Sequence, residues 1–218
     1  MIKARNLCKS FGSLNVLSNV DIDIEQGEIV SIVGASGAGK STLLQCLGSL
    51  LRPTSGTVEV DSQDIYKLSE KELSAFRNRN MGFIFQMHNL LTEFTALENV
   101  MMPSLIAGEN KKNVKARALE LLQKLHLSER VLHMPAQLSG GECQRVSIAR
   151  AMMNSPKIIF SDEPTGNLDT FNRDEVCDAL FSMCRQCGST LLMVTHDKEL
   201  SARADRIIVM RDGKLFAQ

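Results

Sequence analysis

The chain has no net charge, because its 25 basic residues balance 25 acidic ones. Without an overall positive field, it has no general attraction for nucleic acid or for an anionic membrane surface. No apolar run approaches the length of a membrane span, and the first residues lead into polar sequence rather than a signal-peptide core. Myristoylation and prenylation motifs are also missing. We therefore expect a soluble, cytosolic chain without a lipid anchor, which reaches a membrane only through a partner.

The six cysteines lack the arrangement that a structural metal site requires. Only Cys184 and Cys187 have C-x-x-C spacing, and no second pair is placed to complete a zinc site. Both residues also lie late in an apolar, periodic segment. We favour free thiols in a reducing compartment over a zinc or redox site.

A glycine-rich loop is the most informative segment that is present. An apolar run at Ile29–Val33 predicts a buried strand before the loop, and an amphipathic stretch from Thr42 predicts a helix after it. The loop matches the phosphate-binding pattern G-x-x-x-x-G-K-[ST]. It consists of Gly34, Ala35, Ser36, Gly37, Ala38, Gly39, Lys40 and Ser41, with Thr42 following.

This strand, bend and helix start direct backbone N–H groups and the positive end of the helix at one point. Lys40 adds a charge for the β- and γ-phosphates of a nucleotide, and the Ser41 hydroxyl is suited to hold Mg²⁺. An ordinary glycine-rich turn is the alternative, and the strand before and helix after disfavour it. We predict a site for ATP with Mg²⁺.

Two adjacent carboxylates, Asp162 and Glu163, end another apolar strand at its carboxyl edge, where open α/β sheets bind ligands. Asp162 is suited to orient the Mg²⁺ shell. Glu163 is suited to act as general base for water, which typically contributes about 10²–10⁴-fold. An acidic strand end in solvent is the alternative, and the phosphate loop disfavours it.

Two further polar residues follow strands in the same way. His196 ends the strand after the carboxylates, and we predict that it contacts the γ-phosphate. Gln86 follows the strand at residues 83 to 85, and we predict that it contacts the metal or water and marks a hinge. A structural or surface side chain is the alternative for both.

Between these strands, residues from about 87 to 153 have helical periodicity. We predict one domain over residues 1–218, with an α/β core at 1–86 and 154–218 and a helical insertion at about 87–153. Short strands are predicted in the first thirty residues, and a short helix at 197 to 204.

Within the insertion, Ser139, Gly140 and Gly141 precede a periodic stretch, and Glu142 completes a capping-box pattern. A serine and two glycines at a helix start form a second anion-binding nest. Two nests and one nucleotide indicate a dimer in which each nest caps the γ-phosphate held by the other subunit. Spacing alone leaves an isolated helix cap as an open alternative.

Over nearly its whole length, this ordered set resembles the ATP-binding subunits of ABC transporters. Residues 34–41 are similar to Walker A, 138–144 to the signature motif and 158–163 to Walker B. Gln86 matches the Q-loop, residues 167–169 the D-loop and His196 the H-loop. Phe11 matches the aromatic residue that stacks on adenine, which is usually tyrosine in the family.

The resemblance implies a P-loop NTPase core of the RecA type, an N-terminal antiparallel β subdomain and an inserted α-helical subdomain. It also implies a head-to-tail homodimer that closes on two Mg-ATP and opens after hydrolysis. That motion would drive integral-membrane permease subunits that contact the region around residues 86–103, at the cytoplasmic face of the inner membrane.

Residues 83–103 resemble the lipoprotein-releasing members of the family, except that Thr92 stands where proline is expected. Residues 161–169 fit a wider group that includes macrolide or peptide exporters and cell-division complexes, which stay open as alternatives. A soluble ABC-type ATPase acting on DNA or ribosomes is disfavoured, because the chain has no room for the usual insertions. A binding module without turnover is disfavoured by Glu163 and His196.

Overall fold

The computed structural model describes residues 1–166, 168 and 170–217. Their backbone forms ten strands and seven α-helices within that part of the chain. The strands are β1 (Ile2–Phe11), β2 (Leu14–Ile24), β3 (Ile29–Val33), β4 (Ser55–Val60), β5 (Gln63–Asp64), β6 (Met81–Phe85), β7 (Ile158–Asp162), β8 (Thr190–Val194), β9 (Arg206–Arg211) and β10 (Lys214–Ala217). The α-helices are α1 (Lys40–Leu47), α2 (Glu70–Asn80), α3 (Ala96–Ile106), α4 (Lys111–Lys124), α5 (Gly140–Met152), α6 (Thr170–Cys187) and α7 (Lys198–Ser201).

The chain divides into two compact units. Unit 1 comprises Met1–Arg77, Phe160–Glu163 and Thr190–Gln218, and unit 2 comprises Asn78–Ile159 and Pro164–Ser189. The unit boundary therefore passes through β7. It also assigns the segment that contains α6 to unit 2 together with the helical insertion.

An antiparallel sheet of order β2-β1-β4-β5 begins unit 1. The prediction of short strands here was wrong, since β1 and β2 run for 10 and 11 residues. Their pairing shifts register between Ala4 and Leu7, and the backbone is left-handed at Asn6 (φ 49°) and Asn19 (φ 50°). Bulges of this kind add an unpaired residue, which breaks the two-residue alternation in the sequence while the pairing continues.

The second sheet positions the phosphate loop. In unit 1 its order is β10-β9-β3-β8-β7, and β3 is parallel to both β8 and β9. Every residue of β8 is buried, as is β3 up to Ile32, as expected for parallel strands covered on both faces. Because parallel strands end at the same edge, the residues after β3 and β8 lie at one edge of the sheet. The residue after β7 lies there too, since the Glu163 N–H donates to the carbonyl oxygen of Val194, the last residue of β8.

Helix α1 follows the phosphate loop, as predicted, and a tyrosine fixes the chain beyond its end. The Tyr66 hydroxyl lies 2.6 Å from the carbonyl oxygen of Cys46 and 2.8 Å from that of Leu51. Burial raises the pKa of Tyr66. A protonated phenol therefore ties the last turn of α1 to the segment that leads into β4.

Unit 2 contains β6, which neighbours β7, and the helices α3 to α6. Helix α4 buries the face that its periodicity predicts, namely Val114, Ala118, Leu121 and Leu122. Among the described residues, no helix has both the length and the apolar character that crossing a membrane requires.

At the end of the chain, β9 and β10 form the hairpin indicated by Asp212 and Gly213. The predicted helix at 197 to 204 is shorter than expected, because α7 spans only Lys198–Ser201. Asp197 caps this helix by accepting the backbone N–H groups of Glu199 and Leu200.

Candidate functional site

The phosphate loop is shaped by close backbone approaches that only glycine permits. A Cβ on Gly34 would lie 2.2 Å from the carbonyl oxygen of Met210, and one on Gly39 would lie 2.9 Å from that of Val16. Gly37 and Gly39 also have positive φ angles of 79° and 102°. Any side chain at Gly34 or Gly39 would therefore displace the loop from the strands around it.

The start of α1 has the features of an anion-binding site. Gly39 is its N-cap and supplies no side-chain cap, and the first turn carries no acidic residue. The Lys40 ammonium donates to the carbonyl oxygens of Gly34 (3.0 Å) and Ala35 (2.9 Å), so its charge lies across the loop. Ala35, Ser36 and Gly37 are exposed. An uncapped helix start, a glycine bend and a held ammonium fit a phosphate chain.

A hydroxyl and a carboxylate meet beside this helix start. The Ser41 hydroxyl donates to Asp162 Oδ1 across 3.0 Å. Burial raises the pKa of Asp162, while the Ser41 hydrogen bond and the charge of Lys40 oppose that rise. Mg²⁺ prefers one or two such oxygens together with phosphate and water, so the pair fits this ion.

The Glu163 carboxylate is held by the residues after β8. Its Oε1 lies 2.9 Å from His196 Nδ1, and its Oε2 accepts from the Thr195 hydroxyl (3.3 Å) and the His196 backbone N–H (3.4 Å). The Glu163 N–H donates to the carbonyl oxygen of Val194 across 2.9 Å. Glu163 also has a left-handed backbone, with φ 47°, which is an uncommon conformation for a non-glycine residue.

Unit 1 therefore contains all of Lys40, Ser41, Asp162, Glu163 and His196, and it brings Ser41 into contact with Asp162 and Glu163 into contact with His196. Thr195 was not among the residues predicted to have a role. Its only signal was its place between a buried strand and His196.

Phe11 ends β1 in unit 1 and is half exposed. The Lys9 ammonium lies 4.9 Å from the centre of its ring and also donates to the carbonyl oxygen of Arg52. The exposed ring leaves a face for stacking, and its contact with adenine stays a prediction.

Gln86 directly follows β6 in unit 2, as predicted. A Cβ on Gly166 would lie 2.8 Å from Gln86 Nε2, so the glycine makes room for this side chain. The metal contact of Gln86 stays a prediction. In the D-loop segment, Asn167 and Asp169 lie outside the described residues, and Leu168 is packed near Gly140.

The start of α5 carries the predicted capping box. Glu142 N–H donates to the Ser139 hydroxyl (3.2 Å), and Ser139 N–H donates to Glu142 Oε2 (2.8 Å). Arg130 Nε donates to Glu142 Oε1 across 2.8 Å. The Ser139 N–H hydrogen bond is the main cause that lowers the pKa of Glu142. The role of Ser139, Gly140 and Gly141 toward a second subunit stays a prediction.

The six cysteines are free thiols. Burial raises the pKa of Cys184 to about 12, and it also raises the pKa of Cys143 within the 138–144 segment. Cys187 is exposed. Cys143 and Cys184 are therefore protonated, buried groups of low nucleophilicity.

Comparisons with known proteins identify relatives of this chain. The family model described as ABC transporter matches residues 17–166. The chain is 55% identical to a Porphyromonas gingivalis protein over all of both chains, and 52% identical to a Bacteroides thetaiotaomicron protein over 99% of both. Both relatives are named lipoprotein-releasing system ATP-binding protein LolD.

Two solved structures of the ABC transporter cassette MJ0796 are also similar. The dimeric cassette matches with a TM-score of 0.91 at 39% identity, over 99% of this chain and 96% of that one. A dimeric post-hydrolysis state bound to ADP and Pi matches with a TM-score of 0.90 at 38% identity, over 100% and 98% of the two chains.

Proposed function

This chain belongs to the ABC transporter family, and we propose that it is the ATP-hydrolysing subunit of a complex that releases lipoproteins from the inner membrane. The observation that carries the proposal is full-length identity of 55% and 52% to relatives named for lipoprotein release. Intact candidate groups for phosphate binding, metal binding and water activation support turnover.

In the proposed reaction, the start of α1 and the Lys40 ammonium bind the phosphates of ATP. Ser41 and Asp162 are the residues that would hold Mg²⁺. When bound, Mg²⁺ would neutralise charge that develops on the phosphates. Gln86 is proposed to add a ligand to the metal or the water, and Phe11 to stack on adenine.

Glu163 is proposed to take a proton from the attacking water. His196 holds one oxygen of this carboxylate, and its side chain is 71% exposed, which leaves it accessible to a γ-phosphate. A general base of this kind must lie at a defined position relative to the water, and the contacts after β8 supply that restraint.

We further propose that two copies close head to tail on two nucleotides, with Ser139, Gly140 and Gly141 of each copy capping the nucleotide of the other. The dimeric cassettes that resemble this chain support the pairing. A homodimer of this kind would sit at the cytoplasmic face of the inner membrane, bound there by permease subunits.

The permease contact is proposed for residues 86–103 of unit 2. Three large apolar side chains in this segment are exposed, namely Met87, Leu91 and Phe94. Exposed apolar groups clustered along one segment are typical of a protein contact surface.

Two measurements test the proposal. The first is phosphate release by the purified chain with ATP, with and without Mg²⁺. We expect metal-dependent turnover, and in Glu163→Gln a rate about 10²–10⁴-fold lower with ATP binding retained. Normal hydrolysis by Glu163→Gln would remove Glu163 as the base.

The second is a pull-down of Glu163→Gln with ATP from detergent-solubilised membranes, followed by identification of the bound proteins. Two related permeases with large periplasmic domains would support lipoprotein release. One such permease, present twice, would indicate an exporter or a cell-division complex, and no membrane partner would indicate a soluble ATPase. Lys40→Met, which should bind ATP poorly, is the matched control for ATP-dependent capture.

A further inference from the structure

We propose that Thr195 is a positioning residue for hydrolysis, which holds the Glu163 carboxylate in place for water activation. The inference rests on the proposed function, because it takes Glu163 as the general base. It adds a group that reacts with no substrate and acts only through Glu163.

The backbone on both sides of the contact is anchored to the central sheet of unit 1. Thr195 follows β8 directly, and its N–H donates to the carbonyl oxygen of Ile32 in β3 across 3.2 Å. The Glu163 N–H donates to the carbonyl oxygen of Val194 across 2.9 Å. The hydroxyl and the carboxylate therefore start from fixed backbone positions on neighbouring strands.

The hydrogen bonds of the Thr195 hydroxyl have a defined direction. The N–H of Asp197 donates to Thr195 Oγ1 across 3.0 Å, which uses the oxygen as an acceptor. A threonine hydroxyl carries a single hydrogen to donate, and Glu163 Oε2 lies 3.3 Å away to accept it. The loop after β8 thus orients the hydroxyl toward the carboxylate.

The two side chains that contact Glu163, Thr195 and His196, differ in how far they are buried. Thr195 has no exposed surface, whereas the His196 side chain is 71% exposed. A buried, β-branched side chain loses little further freedom when it forms a hydrogen bond, because its χ1 angle is already restricted. Thr195 is therefore the rigid restraint on the carboxylate, and His196 the one that solvent and ligands can reach.

Glu163 has a left-handed backbone (φ 47°), which is uncommon for a non-glycine residue. Without the Thr195 hydrogen bond, Glu163 Oε2 keeps the longer contact to the His196 backbone N–H, 3.4 Å, so the carboxylate should be held less firmly. The loss should fall on turnover rather than on ATP binding, because the hydroxyl bonds to Glu163 and Asp197 and to no group of the phosphate loop among the described residues.

The test compares kcat and KM for ATP in variants of the full chain. Thr195→Val removes the hydroxyl and keeps the shape, and we expect kcat to fall about 10- to 100-fold with KM unchanged, the range for a hydrogen bond to a charged group. Thr195→Ser keeps the hydroxyl and should restore most of the rate. Thr195→Ala, with the same expected loss, serves if valine perturbs folding.

Ser31→Ala is the matched control. It removes another buried hydroxyl of the central sheet, in β3, and this hydroxyl has no hydrogen-bond partner among the residues the structure describes. We expect wild-type kcat and KM. A rate loss in Ser31→Ala equal to that in Thr195→Val would overturn the inference, because it would show a general sensitivity of this sheet.

A double-mutant cycle separates positioning of Glu163 from a structural role. In the Glu163→Gln background, Thr195→Val should cause no further loss of the residual single-turnover rate. The same loss in both backgrounds, a raised KM, or an unchanged kcat in Thr195→Val would overturn the inference. The proposed function fails separately, if the wild-type chain does not hydrolyse ATP or Glu163→Gln hydrolyses it normally.

Discussion

Two helices of this chain begin at glycine-rich segments, and they differ in which groups accept hydrogen bonds from the backbone N–H groups of the first turn. Helix α1 follows Gly39, which offers no side chain, and places Lys40 in its first turn. Helix α5 follows Ser139, whose hydroxyl accepts the N–H of Glu142 while the Glu142 carboxylate accepts the N–H of Ser139. The start of α1 leaves its N–H groups available to a ligand. At the start of α5, the Ser139 and Glu142 side chains already accept hydrogen bonds from two of the N–H groups.

Glycine-rich helix starts are therefore not all the same kind of anion site. At α1 the only nearby side-chain charge from the loop is positive, so the start suits a phosphate held within its own subunit. At α5 a carboxylate already occupies the first turn and is paired with Arg130. This start keeps its shape without a ligand, which is compatible with its proposed role as a contact surface for a second subunit.

The largest effect is expected from a change that breaks the α5 start as a contact surface. Ser139→Arg should abolish ATP-dependent dimerisation and leave nucleotide binding by the monomer intact, because a bulky cation then occupies the proposed interface. Size-exclusion chromatography with ATP in the Glu163→Gln background measures this. Ser128→Arg, at an exposed serine of unit 2, is the control. Unchanged dimerisation in Ser139→Arg would contradict the cross-subunit role.

The next effect should come from the α1 start. Lys40→Met should weaken ATP binding about 10- to 100-fold, because it removes a charge-assisted contact to phosphate. Titration calorimetry with ATP and Mg²⁺ measures the affinity. Lys3→Met, at an exposed lysine of β1, should bind like the wild type. Equal affinities for the two variants would show that Lys40 does not serve the phosphates.

A third variant tests whether the neighbouring strands set the shape of the loop before α1. Gly39→Ala should lower the free energy of unfolding by about 1–3 kcal/mol, since alanine at this backbone conformation is strained and its Cβ would meet the Val16 carbonyl oxygen. Urea denaturation measures the loss. Stability equal to the wild type would mean that the loop shifts freely, and that its shape is not set by the neighbouring strands.

The same measurement at α5 should give a smaller loss. Ser139→Ala removes the cap and should cost about 1 kcal/mol, whereas Ser139→Gly should cost only a few tenths of a kcal/mol. A larger loss in the glycine variant than in the alanine variant would contradict a capping role for the hydroxyl.

The smallest effect concerns pH. Because the pKa of Glu142 is lowered in the folded chain, its contribution to stability is present above the ordinary glutamate pKa of 4.5 and is lost as pH falls through the folded pKa. Glu142→Gln keeps a capping group without the charge. The stability advantage of the wild type over this variant should therefore shrink on acidification below that value. An advantage independent of pH in urea denaturation would contradict the assignment.

Features with local causes were predictable from the sequence. The strand, glycine loop and helix at residues 29–47, the capping box at Ser139 and the buried face of α4 each depend on residues close together in the chain. The predicted fold class, a P-loop core with an antiparallel sheet and an inserted helical part, is confirmed by the solved cassettes that match the whole chain.

Features with distant causes were not predictable. The length of β1 and β2 was underestimated because the bulges at Asn6 and Asn19 break the alternation of apolar and polar residues on which a strand prediction depends. The approach of Gly34 to the Met210 carbonyl joins residues far apart in sequence. The bond from Thr195 to Glu163 requires the order of β7 and β8 in the sheet, which the residues alone do not specify. The roles proposed for Phe11, Gln86 and Ser139 involve a nucleotide, a metal or a second subunit.

The hydroxyl of Tyr66 has a consequence for how the molecule can be observed. The chain contains one tyrosine and no tryptophan, and its nine phenylalanines emit only weakly. Intrinsic fluorescence therefore comes essentially from one phenol, which is hydrogen-bonded to the carbonyl oxygen of Cys46 at the end of α1. Since α1 begins at the phosphate loop, we expect this emission to change if nucleotide binding moves α1, so the movement can be tested without a dye or label.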